Sequence, residues 1–278
     1  MDVRGGARHP VIGRKIVSAT ADTRPGRVSG KRVAVVGAGS IGEGWGNGKA
    51  AAVLYAREGG RVLCIDRNEQ AALETVDLIR GEGGEAEPCV ADMTDAQAAR
   101  AAISEAERLW GGLDILHFNL GISSRGGIVD TAYDDWRRVF SVNLDAAFHV
   151  TQAALPLLER SRGSIVYIST LAALLNGPYP YVAYEVSKAA LGRMARSIAV
   201  EYAQRGVRVN TVLPGMIDTP HAQAFVAGGM DAATLKASRA AQVPMKRQGT
   251  ASDAASFITG AELPVDGGMG LIMGNAAK

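Results

Sequence analysis

From Arg32 onward the apolar positions follow two alternating patterns. Short, nearly continuous runs rich in Val, Ile and Leu are separated by longer stretches in which apolar residues recur at helical spacing among Ala and charged residues. The first pattern is that of strands buried on both faces, the second that of helices with one buried face. Strands are predicted at "RVAVVG" (32–37), "RVLCID" (61–66), "EAEPCVAD" (85–92), "LDILHFN" (113–119), "GSIVYIS" (163–169), "VRVNTVLPG" (207–215) and "AELPVDGG" (261–268). Helices are predicted over Lys49–Arg57, Glu69–Arg80, Ala96–Leu109, Asp134–Leu158 and Tyr184–Gln204. Alternation of this kind predicts an α/β fold, a doubly wound parallel sheet with helices on both faces and no second domain. In such sheets the loops after each strand carry the chemistry.

Composition adds boundaries. A chain of 278 residues, 47% hydrophobic and 21% charged, can bury a substantial core. It contains no apolar run long enough to span a bilayer, and its first residues lack the apolar segment of a signal peptide, so a cytoplasmic protein with no membrane partner is expected. Residues 1–30 carry six basic and two acidic side chains, a net of +4, which leaves −2 for the rest of a chain whose total is +2. The body therefore lacks the basic excess of a nucleic-acid binder. Residues 1–29 read as a disordered extension and 30–278 as the catalytic domain. Cys64 and Cys89 fall inside strand-like runs and read as buried free thiols, and the histidines lack metal-ligand spacing, so no metal is expected.

The candidate chemistry begins in "GAGSIGEGWGNGKA", where glycines at 37, 39, 42, 44, 46 and 48 follow the first strand and open into a helix. Glycine lets backbone amides approach a pyrophosphate, and the helix N-terminus adds favourable partial charge. The next strand ends in Asp66, placed to accept hydrogen bonds from a ribose 2′-hydroxyl and to repel a 2′-phosphate, which argues for NAD over NADP; Arg67 beside it argues the other way. Further on, "YEVSK" puts Tyr184 one helical turn before Lys188. Alone, that pair is commonly an amphipathic edge; beside a dinucleotide, a cation near a phenol draws its pKa down from about 10 towards proton-transfer use.

Together with "AD" at 91–92, "NLG" at 119–121, Asn143, "IST" at 168–170 and "PGMIDTP" from Pro214, these residues make the chain resemble the short-chain dehydrogenase/reductases over about residues 30–270. The resemblance implies a Rossmann-like fold and, in catalysis, Tyr184 as general acid or base, Lys188 as its partner and ribose ligand, and Asn143 as holder of a proton-relay water. It also implies a hydroxyl donor, Thr170 with Ser169 as fallback. Cofactor contacts are implied for Gly37, Ser40, Ile41, Gly42, Asp66, Asp92, Met93, Asn119, Gly121, Tyr184, Lys188, Pro214, Gly215, Ile217 and Thr219.

Several features depart from the family pattern. The glycine loop is about five residues longer, with Trp45 in the insertion; counting back from Asp66 aligns Gly46 and Gly48 with the later glycines. The usual Asn-Asn pair is Phe118-Asn119. Only seven residues separate Gly249 from Phe257, so the helix that the resemblance implies there is expected to be missing or cut to one turn by a deletion of about eleven residues, with consequences for the implied homo-oligomer, dimer or tetramer. The substrate lid, 216–244, contains Met216, Phe225, Met230 and Leu235, which suits an apolar secondary alcohol or ketone; Arg239 and Lys246 supply one charge there at most. Tyr179 and Tyr181 are competing phenols without a lysine four residues on. The expected activity is hydride transfer between NAD(H) and such an alcohol. A non-catalytic dinucleotide-binding protein is the rival, disfavoured by the retained Tyr184, Lys188 and Asn143.

Overall fold

The computed structural model describes residues 26–176, 180–220, 232–249 and 262–265. Seven strands, β1 (Arg32–Val36), β2 (Arg61–Asp66), β3 (Glu85–Val90), β4 (Ile115–Phe118), β5 (Ser164–Ile168), β6 (Arg208–Pro214) and β7 (Glu262–Val265), form one sheet in the order β3-β2-β1-β4-β5-β6-β7. Every adjacent pair is parallel. Each strand lies within a predicted apolar run. Between them run α1 (Asn47–Arg57), α2 (Glu69–Gly81), α3 (Ala96–Trp110), α4 (Tyr133–Phe140), α5 (Ala146–Ser161), α6 (Val182–Tyr202) and α7 (Ala232–Gln242).

The strand period of two divides the core into two layers. Val33 and Val35 of β1 face Ala52 and Val53 of α1 and Val76 and Ile79 of α2. Their neighbours Ala34 and Val36 face the other way, into the layer closed by Ile103 of α3, Val150 of α5 and Leu191 of α6. Burial on both faces explains why the strands read as continuous apolar runs. After β3 the chain crosses back to the opposite side of β1, so the connections leaving β1 and β4 diverge and open a crevice at their C-terminal ends.

Four expectations change. Gly26–Ser29, assigned to the extension, form a turn fastened to the end of α1: the Arg27 N–H and guanidinium both donate to the Glu58 carboxylate, and the Val28 N–H donates to the Glu58 carbonyl. The single helix expected over Asp134–Leu158 is broken between α4 and α5 by a π turn at Ser141–Asp145. The lid segment contains a helix, α7, that its polar, Ala-rich sequence did not suggest. Cys64 is buried but Cys89 is only half-buried, because β3 is an edge strand; both thiols are free. The shortened stretch expected after Gly249 falls mainly on residues 250–261, outside the described residues, as do Tyr179, Phe225, Met230 and residues 1–25 of the extension. No helix among the described residues is long and apolar enough to cross a membrane, and none of their His, Cys, Asp or Glu side chains cluster to hold a metal.

Candidate active site

The crevice at the C-terminal ends of β1 and β4 is a cavity of about 440 Å3. One wall is the glycine loop. Gly37 and Ala38 both donate their N–H groups to the Ile65 carbonyl, and Gly39 N–H donates to Asp66 Oδ2 at 3.0 Å, which fastens the loop to the end of β2. Asp66 Oδ1 accepts from Asn68 N–H at 3.0 Å, and Thr75 of α2 donates to the Ala38 carbonyl. After Ile41, at the cavity rim, the chain leaves the cleft, and Trp45 is 44% exposed. It returns at Gly46, which caps α1 without a side-chain hydrogen bond. The crossing of α1 over β1 is so close that a Cβ on Gly48 would stand 1.8 Å from the Gly37 carbonyl oxygen. Asn119 Nδ2 donates to the same oxygen from the end of β4.

This wall fits a dinucleotide. It presents the open N-terminus of α1, with no acidic residue in its first turn, and the Ser40 hydroxyl, buried with no hydrogen-bond partner. Both are what a pyrophosphate would satisfy. Arg67, which argued for a 2′-phosphate, lies close enough to Asp92 to hold that carboxyl below its usual range, after the larger effect of the hydrogen bonds from Thr94 N–H and Oγ1.

The opposite wall is built by α6 and the ends of β4 and β5. Lys188 is buried, and its ammonium donates to the carbonyls of Leu120 and Ile168, both at 2.8 Å. A Cβ on Gly121 would stand 2.9 Å from that nitrogen, so a side chain there would push the ammonium aside. Burial lowers the Lys188 pKa to about 7. Tyr184, one turn earlier, faces the cavity, with the Tyr181 ring edge-on to it at 6.1 Å. Burial raises the phenol pKa, and the neighbouring Thr170 side chain draws it only partly back. The depressed phenol expected from "YEVSK" is therefore corrected: Lys188 is spent on two carbonyls, and desolvation dominates.

Ser169 and Thr170 both line the cavity, but Ser169 donates its hydroxyl to the Lys188 carbonyl at 2.8 Å, whereas Thr170 accepts from Ala172 N–H and keeps its own proton to donate. Thr170→Ala is expected to lower kcat/KM by about tenfold or more, as removal of an oxygen-binding donor does, and Thr170→Ser to preserve it. Ser169→Ala is expected mainly to loosen α6, by about 1 kcal/mol in a denaturant titration. The reverse ranking in steady-state kinetics would move the donor to Ser169.

Asn143 sits in the π turn, a distortion common at functional sites, and is buried outside the cavity lining. Its Oδ1 accepts from Ile122 N–H, and its Nδ2 donates to the Ile122 carbonyl and to Ser187 Oγ. Through these bonds it holds the 120–122 loop whose Leu120 carbonyl receives Lys188. Gly42 also lies outside the cavity, on the exposed insertion, where Gly46 and Gly48 were the alternatives by counting from Asp66. The remaining expected residues, Gly37, Ser40, Ile41, Asp66, Asp92, Met93, Asn119, Gly121, Pro214, Gly215, Ile217 and Thr219, line the cavity. So do Asn47, Asn68, Thr94 and Ile122, which sequence reasoning missed although each stands in a loop following a strand.

The raised phenol sets the pH behaviour. Carbonyl reduction needs the proton on Tyr184, and that form persists through neutral pH; alcohol oxidation needs the phenolate, which forms only in the alkaline range. The expected kcat/KM for oxidation rises with pH above neutrality while that for reduction stays level and then falls. Parallel pH profiles in both directions check this, and an oxidation rate already level below pH 7 would contradict it.

Comparison with known proteins agrees with this geometry. A family model described as enoyl-(acyl carrier protein) reductase matches residues 42–270. The chain is 36% identical over 257 residues to 2,5-dichloro-2,5-cyclohexadiene-1,4-diol dehydrogenase from Sphingobium indicum, covering 87% of this chain and 97% of that protein. It is 34% identical to 2-(S)-hydroxypropyl-CoM dehydrogenase 3 from Xanthobacter autotrophicus, covering 87% and 98%. The crystal structure of a Burkholderia xenovorans protein assigned to the short-chain dehydrogenases/reductases superposes with a TM-score of 0.85 at 37% identity, over 90% of this chain and all of that one. With its relatives named as dehydrogenases and reductases, and with a crevice that fits their nicotinamide cofactor, the chain belongs to the short-chain dehydrogenase/reductase family and is a hydride-transferring oxidoreductase of CH–OH groups.

Proposed function

We propose that the enzyme interconverts a secondary alcohol and its ketone with NAD(H), in a cleft where Tyr184 and Thr170 meet the reacting oxygen. The observation that carries this reading is that Tyr184, Thr170 and Lys188 line one cavity, with Thr170 close enough to the phenol to draw its pKa down. Gly37, Gly39, Gly46, Ser40 and Asn47 would hold the pyrophosphate, and Asp66 the adenosine ribose. The bound nicotinamide takes up or gives the hydride. Thr170 donates a hydrogen bond to the substrate oxygen, and Tyr184 removes its proton in oxidation or supplies one in reduction. Lys188 and Asn143 hold the wall on which that phenol stands. Ile122, Val142, Ile217 and Met93 keep the lining predominantly apolar, which favours an apolar alcohol body.

Two observations support NAD over NADP: Asp66 closes the end of β2 with a carboxylate, and Arg67 is near Asp92. Phe148 on α5 and Val200 on α6, 53% and 81% exposed, are apolar faces suited to a homo-oligomer. Free Cys64 and Cys89 fit a reducing cytoplasm. Offering a panel of secondary alcohols with NAD and with NADP in parallel, and following reduced-cofactor absorbance, tests the reading. Turnover of at least one alcohol with NAD preferred is expected; a strong NADP preference would overturn the role given to Asp66.

A further inference from the structure

At the Tyr184 end of the cavity one cation has no evident use. Arg239 projects from α7 into the lining, beside Ile217 and Thr219. It is half-buried, and its hydrogen bond to the described residues is a long one, 3.5 Å from Nη2 to the Ile217 carbonyl. Asp218, the carboxylate whose charge acts on it, is bound by Lys236 at 2.6 Å. No carboxylate among the described residues forms an ion pair with Arg239. Burial pulls its pKa down, opposed by the charges of Asp218 and Tyr181. A partly desolvated guanidinium with its fork unfilled is costly unless an anion arrives to meet it.

Two anions could enter this cleft, one on the substrate and one on the cofactor. The pyrophosphate's donors, Ser40 and the start of α1, belong to the glycine loop on the other wall. Arg239 instead stands within electrostatic reach of Tyr181, whose ring packs against Tyr184. We propose that Arg239 is a specificity-determining residue that receives a carboxylate on the substrate, so that the alcohol is a hydroxy acid with an otherwise apolar body. The inference rests on the oxidoreductase site proposed above and narrows its substrate class. It also gives α7 a task in recognition: the helix brings a guanidinium to the cavity beside Ile217 and Thr219.

The test offers secondary hydroxy acids and their primary amides as matched pairs with NAD, to the wild type and to Arg239→Leu and Arg239→Lys. The carboxylate is expected to be preferred by about tenfold or more in kcat/KM, chiefly through KM. Arg239→Leu is expected to bring the ratio close to one, and Arg239→Lys, which keeps the charge without the fork, to retain part of it. An unchanged ratio in Arg239→Leu, or no preference in the wild type, overturns the proposal. So does a tenfold loss of NAD affinity in Arg239→Leu with the ratio intact, which would give the guanidinium to the cofactor phosphate. Calorimetric binding of butyrate and butyramide to the enzyme–NADH complex separates the two readings. Arg239-dependent butyrate binding without turnover of any alcohol would refute the catalytic reading and support the anion site, whereas equal butyrate binding in wild type and Arg239→Leu refutes the anion site.

Discussion

Tyr184→Phe is expected to lower kcat by roughly a hundredfold or more, the scale of general acid–base catalysis, with NAD affinity nearly unchanged. The substitution removes one oxygen and keeps the ring that packs edge-on against Tyr181. It also spares the nearby scaffold, because Ser187 bonds the Tyr184 carbonyl and not its phenol. What is lost is the proton-carrying group that faces the cavity beside Thr170. Tyr181→Phe is the matched control. A loss at Tyr181 equal to that at Tyr184 would show that the other phenol carries the proton.

Gly48→Ala is expected to destabilise the fold by about 2–3 kcal/mol and to weaken NAD binding by about tenfold or more. A Cβ at this position would stand 1.8 Å from the Gly37 carbonyl oxygen and 2.8 Å from Asn119 Nδ2, and the first of these is backbone that cannot rotate away. Helix α1 must therefore lift from β1, carrying Gly46 and Asn47 out of the cavity wall. Gly81→Ala, at the end of α2 with nothing within 4 Å, is expected to leave stability unchanged or gain up to about 1 kcal/mol. Urea titrations and calorimetric NAD binding on both variants measure the contrast.

The sheet was legible because its strands are buried on both faces and so appear as apolar runs; even β7, four residues long, falls within "AELPVDGG". The ordering of Asp66, Tyr184 and Lys188 along the chain placed the cleft for the same reason, since each stands at or beside the end of a strand. Spacing failed where the chain departs from a regular period. The π turn at Ser141–Asp145 leaves the apolar pattern of its flanking helices nearly intact, so neither the break nor the bonds of Asn143 to Ile122 and Ser187 were visible. The insertion displaced the second glycine from Gly42 to Gly46, and only the fixed distance back from Asp66 signalled it. The direction of the Tyr184 pKa depended on which carbonyls Lys188 reaches and on how deeply the phenol is enclosed, and neither is written in the spacing of Tyr and Lys.

The most direct measurement uses a secondary alcohol turned over by the enzyme and carrying deuterium on its carbinol carbon. Oxidation with NAD is expected to deliver that deuterium to the nicotinamide ring of the reduced cofactor, with a primary isotope effect on kcat/KM where chemistry limits the rate, and Tyr184→Phe to slow the transfer without changing its destination. Ketone formed with no deuterium in the reduced cofactor, or undiminished transfer in Tyr184→Phe, would contradict the account.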